Sequence, residues 1–175
     1  MTGGHTHQAL LDLTLEVAAE LDFAHGYAGY TLALYEIGPK AILADRMFYG
    51  IGMRHPGIDL PSTGTTSFVV REGIKRVNWL TLLGKDMAQR AGSFNALGRH
   101  PGVVVHKIGD RVVVQAGDAP LIGDTNRRDT CEVYRKVDRA LKGIRCRNHP
   151  PFVYGPEDFM ADDEKTQAWL SSLDD

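Results

Sequence analysis

Residues 103–116 read VVVHKIGDRVVVQA. Two valine-rich arms flank Gly109-Asp110, a residue pair suited to a two-residue hairpin loop, and β-branched residues favour strands. The register that follows sets Val105 opposite Val114 and Val103 opposite Ala116, with His106 opposite Val113 on the other face. His106 therefore reads as a sheet-face residue rather than a catalytic one. A hairpin of this kind, in a chain without strict βαβ alternation, argues for α+β with a mainly antiparallel sheet packed against several helices.

Upstream, residues 71–84 read REGIKRVNWLTLLG. Val77, Trp79, Thr81 and Leu83 alternate with Asn78, Leu80 and Leu82, the pattern of a central strand buried on both faces. Trp79 brings on the order of 150–250 Å² of burial to the core. Gly84 turns the chain into a helix, KDMAQRAG, that Gly92 closes. Arg71, Glu72, Lys75 and Arg76 precede the strand and are expected at the sheet rim. There Arg71, Lys75 and Arg76 are candidates for partner contacts. The glycines do not make a phosphate-binding loop, because Lys85 is followed by Asp86 where Ser or Thr is required.

Farther out, residues 6–22 carry Leu10, Leu13, Val17 and Leu21 at helical spacing, and Leu11, Leu15 and Ala18 widen the stripe. Such a helix is expected to be buried against more than one neighbour. Residues 27–36 alternate as a strand, Gly38-Pro39 breaks it, and Pro39 opens a helix over 40–50. The tetrapeptide Arg-His-Pro-Gly occurs at 54–57 and again at 99–102, a candidate duplication of a helix-turn-strand unit. Pro and Gly there make turns, and neither His55 nor His100 has carboxylate or cysteine company at metal-ligand spacing. After a loop at 117–128, Asp129 and Glu132 form a capping-box pattern. The helix that follows buries Val133, Val137, Ala140 and Leu141 and stops at Gly143. Its outer face, Arg135, Lys136, Arg139 and Lys142, reads as solvated. A proline-broken connector then leads to an acidic helix at 162–173, with Trp169, Leu170 and Leu173 available for docking.

The 175 residues suit one domain, placed at 1–154, followed by an acidic C-terminal tail with a short helix at 155–175. Net charge is −2 overall, but the tail holds Glu157, Asp158, Asp162, Asp163, Glu164, Asp174 and Asp175 against Lys165 alone. The body is mildly basic, and the whole lacks the footprint of a nucleic-acid binder. Cys131 and Cys146 have no CxxC spacing, which fits a reducing compartment. The first residues lack a signal-peptide pattern, and no apolar run reaches the roughly 20 residues that span a bilayer, so a cytosolic protein is expected. There is no GxSxG, HExxH or paired-acid constellation, so no catalytic residue, metal or cofactor is assigned. A small enzyme or ligand-binding domain using His100, His106 and nearby aspartates is the alternative.

GIKRVNWLTLLG, taken with MRHPGIDLP, VVVHKIGDRVVVQAG, GDTNRRD and YRKVDRALKGIR, resembles a bacterial family of type VI secretion immunity proteins. The likeness runs from about residue 10 to about residue 147. It implies a non-enzymatic inhibitor that binds a cognate secreted effector, with no transferable catalytic set. Members of the family are longer at the N-terminus, which implies a shortened form here, and the acidic segment after residue 155 matches no family motif. A toxin met in the cytosol would be a nuclease before a cell-wall hydrolase. A nuclease cleft is basic, so Glu157, Asp158, Asp162, Asp163 and Glu164 are candidate partner-binding residues by charge mimicry. No membrane and no direct nucleic-acid contact is expected.

Overall fold

The computed structural model describes residues 3–32, 48–60, 69–151 and 163–174. In chain order these hold helix α1 (Gly3–Glu20), strand β1 (His25–Ala28), a helical segment α2 (48–54), β2 (Leu80–Leu83), α3 (Lys85–Ala91), β3 (Val103–Ile108), β4 (Arg111–Ala116), α4 (Glu132–Leu141) and α5 (Asp163–Leu170). The strands make one antiparallel sheet in the order β1-β2-β4-β3. The fold is α+β, as the hairpin pattern implied.

The hairpin has the expected register: Val103 pairs with Ala116, Val105 with Val114 and His106 with Val113. β2 is central and all four of its residues are buried. It is shorter than the alternation at 77–83 suggests, because Asn78 and Thr81 divert the backbone into local bonds. Asn78 Oδ1 accepts from the Trp79 amide at 2.7 Å, and the Asn78 amide donates to Thr81 Oγ1 at 3.1 Å. Gly29 makes room for this turn, since a Cβ there would stand 2.0 Å from Asn78 Oδ1.

Both faces of β4 are covered. Arg111, Val113 and Gln115 share one face by alternation, and Arg111 Nη1 donates to the Ala18 and Ala19 carbonyls at 3.0 Å each. That places α1 across this face, with Leu11, Thr14 and Ala18 buried. On the opposite face Val105 approaches Gly98 of the 3-10 turn Leu97–Arg99. Tyr134, Val137 and Leu141 of α4 complete the main core. Trp169 and Leu170 of α5 pack with Leu60, while Leu173 joins the main cluster.

Several expectations are corrected. Asp129 does not cap α4: Cys131 holds that position at φ 53, and Asp129 Oδ1 accepts the Cys131 amide at 3.3 Å instead. The helix ends at Leu141 and a 3-10 turn, Lys142–Ile144, runs on through Gly143. Tyr134 and Asp138 take buried places in α4 while Ala140 is exposed, so the stripe is rotated from the one expected. The second Arg-His-Pro-Gly turn feeds β3, but after the first the described residues, up to 60, hold a single bridge, Thr31 to Asp59, and no strand. The first strand is His25–Ala28 rather than 27–36, whose residues 33–36 lie outside the described residues, as do Gly38-Pro39 and positions 40–47 of the helix expected there. Finally, α1 forms as expected but Leu13, Val17 and Leu21 are not covered by a second neighbour.

Candidate partner interface and its structural base

The sequence segments that stand out at 53–60, 73–78 and 121–129 converge in space. Arg54 forks onto Asp124, with Nε to Oδ1 at 3.2 Å and Nη2 to Oδ2 at 2.9 Å. The pairing holds the Asp124 carboxyl below the usual carboxylate range. His55 Nδ1 donates to the Gly123 carbonyl at 2.6 Å, and the Gly57 amide donates to Ile122 O at 2.9 Å. Gly57 is required there: a Cβ would lie 2.0 Å from Leu121 O. The first Arg-His-Pro-Gly is thus a clasp on the 121–124 loop.

Lys75 and Arg76 close the same assembly from inside. They are not at a solvent rim: Lys75 is 5% and Arg76 2% exposed. Burial follows from their stems entering between β1 and α5, where Lys75 Nζ and Arg76 Nη2 find carbonyls and the Trp169 ring, while Arg76 Nε and Nη1 have no hydrogen-bond partner among the described residues. Lys75 Nζ donates to Asp59 Oδ2 and Leu60 O, each at 2.9 Å, and its amide donates to Tyr27 Oη at 2.7 Å. Arg76 Nη2 donates to Pro56 O at 2.7 Å, and its guanidinium carbon lies 4.6 Å from the Trp169 ring centre. Burial pulls Arg76 down to about 10, still charged at neutrality. His25, on the same side, is pulled to about 4, chiefly by burial and then by Lys75, and is neutral.

Arg71 and Glu72 are exposed and keep the expected rim position. Glu164 is exposed on α5, whereas Glu157, Asp158 and Asp162 lie outside the described residues and Asp163 is described only as the first residue of α5. Asp174, counted in the acidic tail, is turned inward: it accepts Arg145 Nη2 at 2.7 Å and Lys142 Nζ at 3.2 Å. These bonds lower its pKa. Arg145 also pairs with buried Asp138. The histidines proposed for chemistry are dispersed. His106 Nε2 bonds Gln115 Oε1 at 2.9 Å, His100 is exposed at the turn before β3, and no metal-holding group of His, Cys, Asp or Glu occurs among the described residues.

What periodicity alone missed is the outer face of α1. Leu13, Val17 and Leu21 are 55%, 38% and 57% exposed, and Asp12, Glu16 and Glu20 are exposed beside them. The apolar spacing at 10–21 contained the signal, but spacing does not say which row the fold covers. Among the described residues no helix is long and apolar enough to cross a membrane.

Comparison with known proteins extends the geometry. No curated protein matches the chain. A solved structure, the Pseudomonas aeruginosa T6SS protein PA0821, superposes with a TM-score of 0.77 at 28% sequence identity. The alignment covers 94% of this chain and 47% of that one, so the chain spans about half the length of that relative. The family model TsiV, described as type VI immunity for VRR-NUC, matches residues 3–173. The chain, matched over nearly its whole length, belongs to this family of type VI immunity proteins.

Proposed function

We propose that this chain is a non-enzymatic immunity protein that binds a VRR-NUC nuclease effector and blocks its active or substrate site in the cytoplasm. The observation that carries this reading is the family match over residues 3–173. The chemistry is consistent with it. The motif residues of the 54–57 and 121–124 clasp are spent on hydrogen bonds within the fold, so they build a rigid scaffold and leave recognition to its surface. A nuclease meets its substrate in the cytoplasm, and its phosphate-binding cleft favours an acidic blocker. Glu157, Asp158, Asp162, Asp163 and Glu164, with Arg71 at the rim, are proposed to contribute contacts. Lys75 and Arg76 act from inside, by holding 56–60 and α5 together.

The test is co-purification with the product of an adjoining gene encoding a VRR-NUC domain, followed by growth rescue of cells expressing that nuclease. Binding together with rescue is expected; failure of both for every adjoining candidate would overturn the reading. The tail contribution is checked separately by Glu157→Gln, Asp158→Asn, Asp162→Asn and Glu164→Gln in one variant. Affinity and salt dependence unchanged from wild type would remove the tail from the interface.

A further inference from the structure

We infer that the outward face of α1 is the surface that docks on a basic partner, with Leu13, Val17 and Leu21 as its apolar centre and Asp12, Glu16 and Glu20 as its charged border. The inference rests on the immunity reading and names the part of the molecule that performs it.

Three rows run along α1. Leu11, Thr14 and Ala18 face the sheet and are buried. Leu13 and Val17 follow at an interval of four, and Leu21, one residue past the end of α1, continues the row because its amide donates to Val17 O at 2.9 Å; Asp12, Glu16 and Glu20 repeat at the same interval. Residues four apart lie nearly above one another on a helix, and adjacent residues are turned by about 100°, so the acidic row runs alongside the exposed apolar row. Exposed leucines are ordinary singly. Three large apolar side chains in register on one face are not. The helix contains no Lys or Arg, and no ion pair to Asp12, Glu16 or Glu20 occurs among the described residues. Among the described residues, this row's one side-chain hydrogen bond comes from Gln8, whose Nε2 donates to Asp12 at 2.8 Å.

An apolar centre with a polar border is the anatomy of a protein–protein contact. Charge selects the occupant. Self-pairing with the helices antiparallel would lay acid row beside acid row, and in either orientation α1 has no Lys or Arg to meet the acids of a second copy. A basic face would gain on the same border, and a nuclease must carry one to hold phosphate. The occupant is therefore the basic, substrate-binding face of the effector rather than a second copy of this chain. The apolar row runs over eight helical steps, about 12 Å of helix, which is too small for a whole interface. It suits the energetic centre of a larger one.

The experiment measures binding of the purified VRR-NUC domain to the full chain by calorimetry and by kinetics at about 50 mM and about 200 mM salt. Three variants are compared with wild type: L13S/L21S, E16K/E20K and, as a control away from α1, R147E. All altered positions are exposed, so the melting temperatures are expected to match wild type. L13S/L21S should weaken binding by about tenfold or more through faster dissociation. E16K/E20K should slow association and flatten its salt dependence. R147E should leave both unchanged. Tight wild-type binding with both α1 variants indistinguishable from it overturns the α1 assignment and leaves the immunity reading standing. Absence of wild-type binding overturns the immunity reading and this inference with it. Self-association abolished by L13S/L21S, with effector binding intact, would identify a second copy as the occupant and also overturn it.

Discussion

Trp169 shows how one residue can hold distant parts of the chain together. It is fully buried, with Arg76 stacked 4.6 Å from its ring centre, Lys75 Nζ at 5.7 Å, and Leu60 beside it. Trp169→Ala would leave a large cavity and two buried cations without their ring. The expected cost is about 3–5 kcal/mol, read as a lower urea midpoint. Gly57→Ala should cost about 1–3 kcal/mol by forcing the 54–57 turn off Leu121 O. Asp138 gives a pH signature. Burial raises it to about 6 despite Arg145 and Arg76 nearby, so its folded form favours the proton more than the unfolded form does. Its contribution is present in full below about pH 4 and is lost as pH rises through about 6. Asp138→Asn lacks this loss, so its stability relative to wild type should rise between pH 4.5 and 7, by up to roughly 2–3 kcal/mol. Urea titrations at the two pH values check the sign; a difference that stays flat or falls would refute it. These roles were poorly legible in the sequence. Lys75 and Arg76 read as rim charges because hydropathy cannot foresee a ring and carbonyls waiting inside.

At the scale of elements, legibility follows contact distance along the chain. The β3–β4 hairpin is local, its loop is two residues, and its register was readable to the pair. Pairing of β1 with β2 joins residues more than fifty apart, and no periodicity reports it. The clasp between 54–57 and 121–124 is longer-range still, so its motifs could be noticed as motifs and not as a contact. Helix α1 was found from spacing, but spacing counts apolar residues without saying what covers them. Its C-terminal turn has no basic residue of its own, and Arg111 supplies the charge from β4 by donating to the Ala18 and Ala19 carbonyls. Arg111→Ala should therefore fray the end of α1 and cost about 1–3 kcal/mol. Hydrogen exchange would show faster amides at 19–22, with the β3–β4 hairpin amides still protected; uniform loss of protection would point to a global effect instead.

For the whole molecule, charge and packing divide the work between different surfaces. Acids crowd the exposed rows of α1 and the C-terminal region, while Arg139 and Lys142 of the α4 region are exposed on a basic side. A net charge of −2 conceals this separation. The C-terminal region also does more than carry charge. Trp169 and Leu170 close the small cluster with Leu60, Leu173 enters the main core, and Asp174 bonds Arg145 and Lys142. Its acids and its apolar anchors should therefore separate cleanly in experiment. Ending the chain before residue 163 removes three buried large side chains, each worth about 2–5 kcal/mol, from a fold whose total stability is on the order of 5–15 kcal/mol. Such a chain should be unfolded or melt far below wild type, and its loss of effector binding would say nothing about charge. Replacing Glu157, Asp158, Asp162 and Glu164 by their amides leaves the anchors in place and should leave the melting temperature within a few degrees of wild type. If calorimetry found the shortened chain as stable as the full one, the C-terminal anchors would contribute nothing to the core, and the packing account of Trp169 and Leu173 would fail with that result.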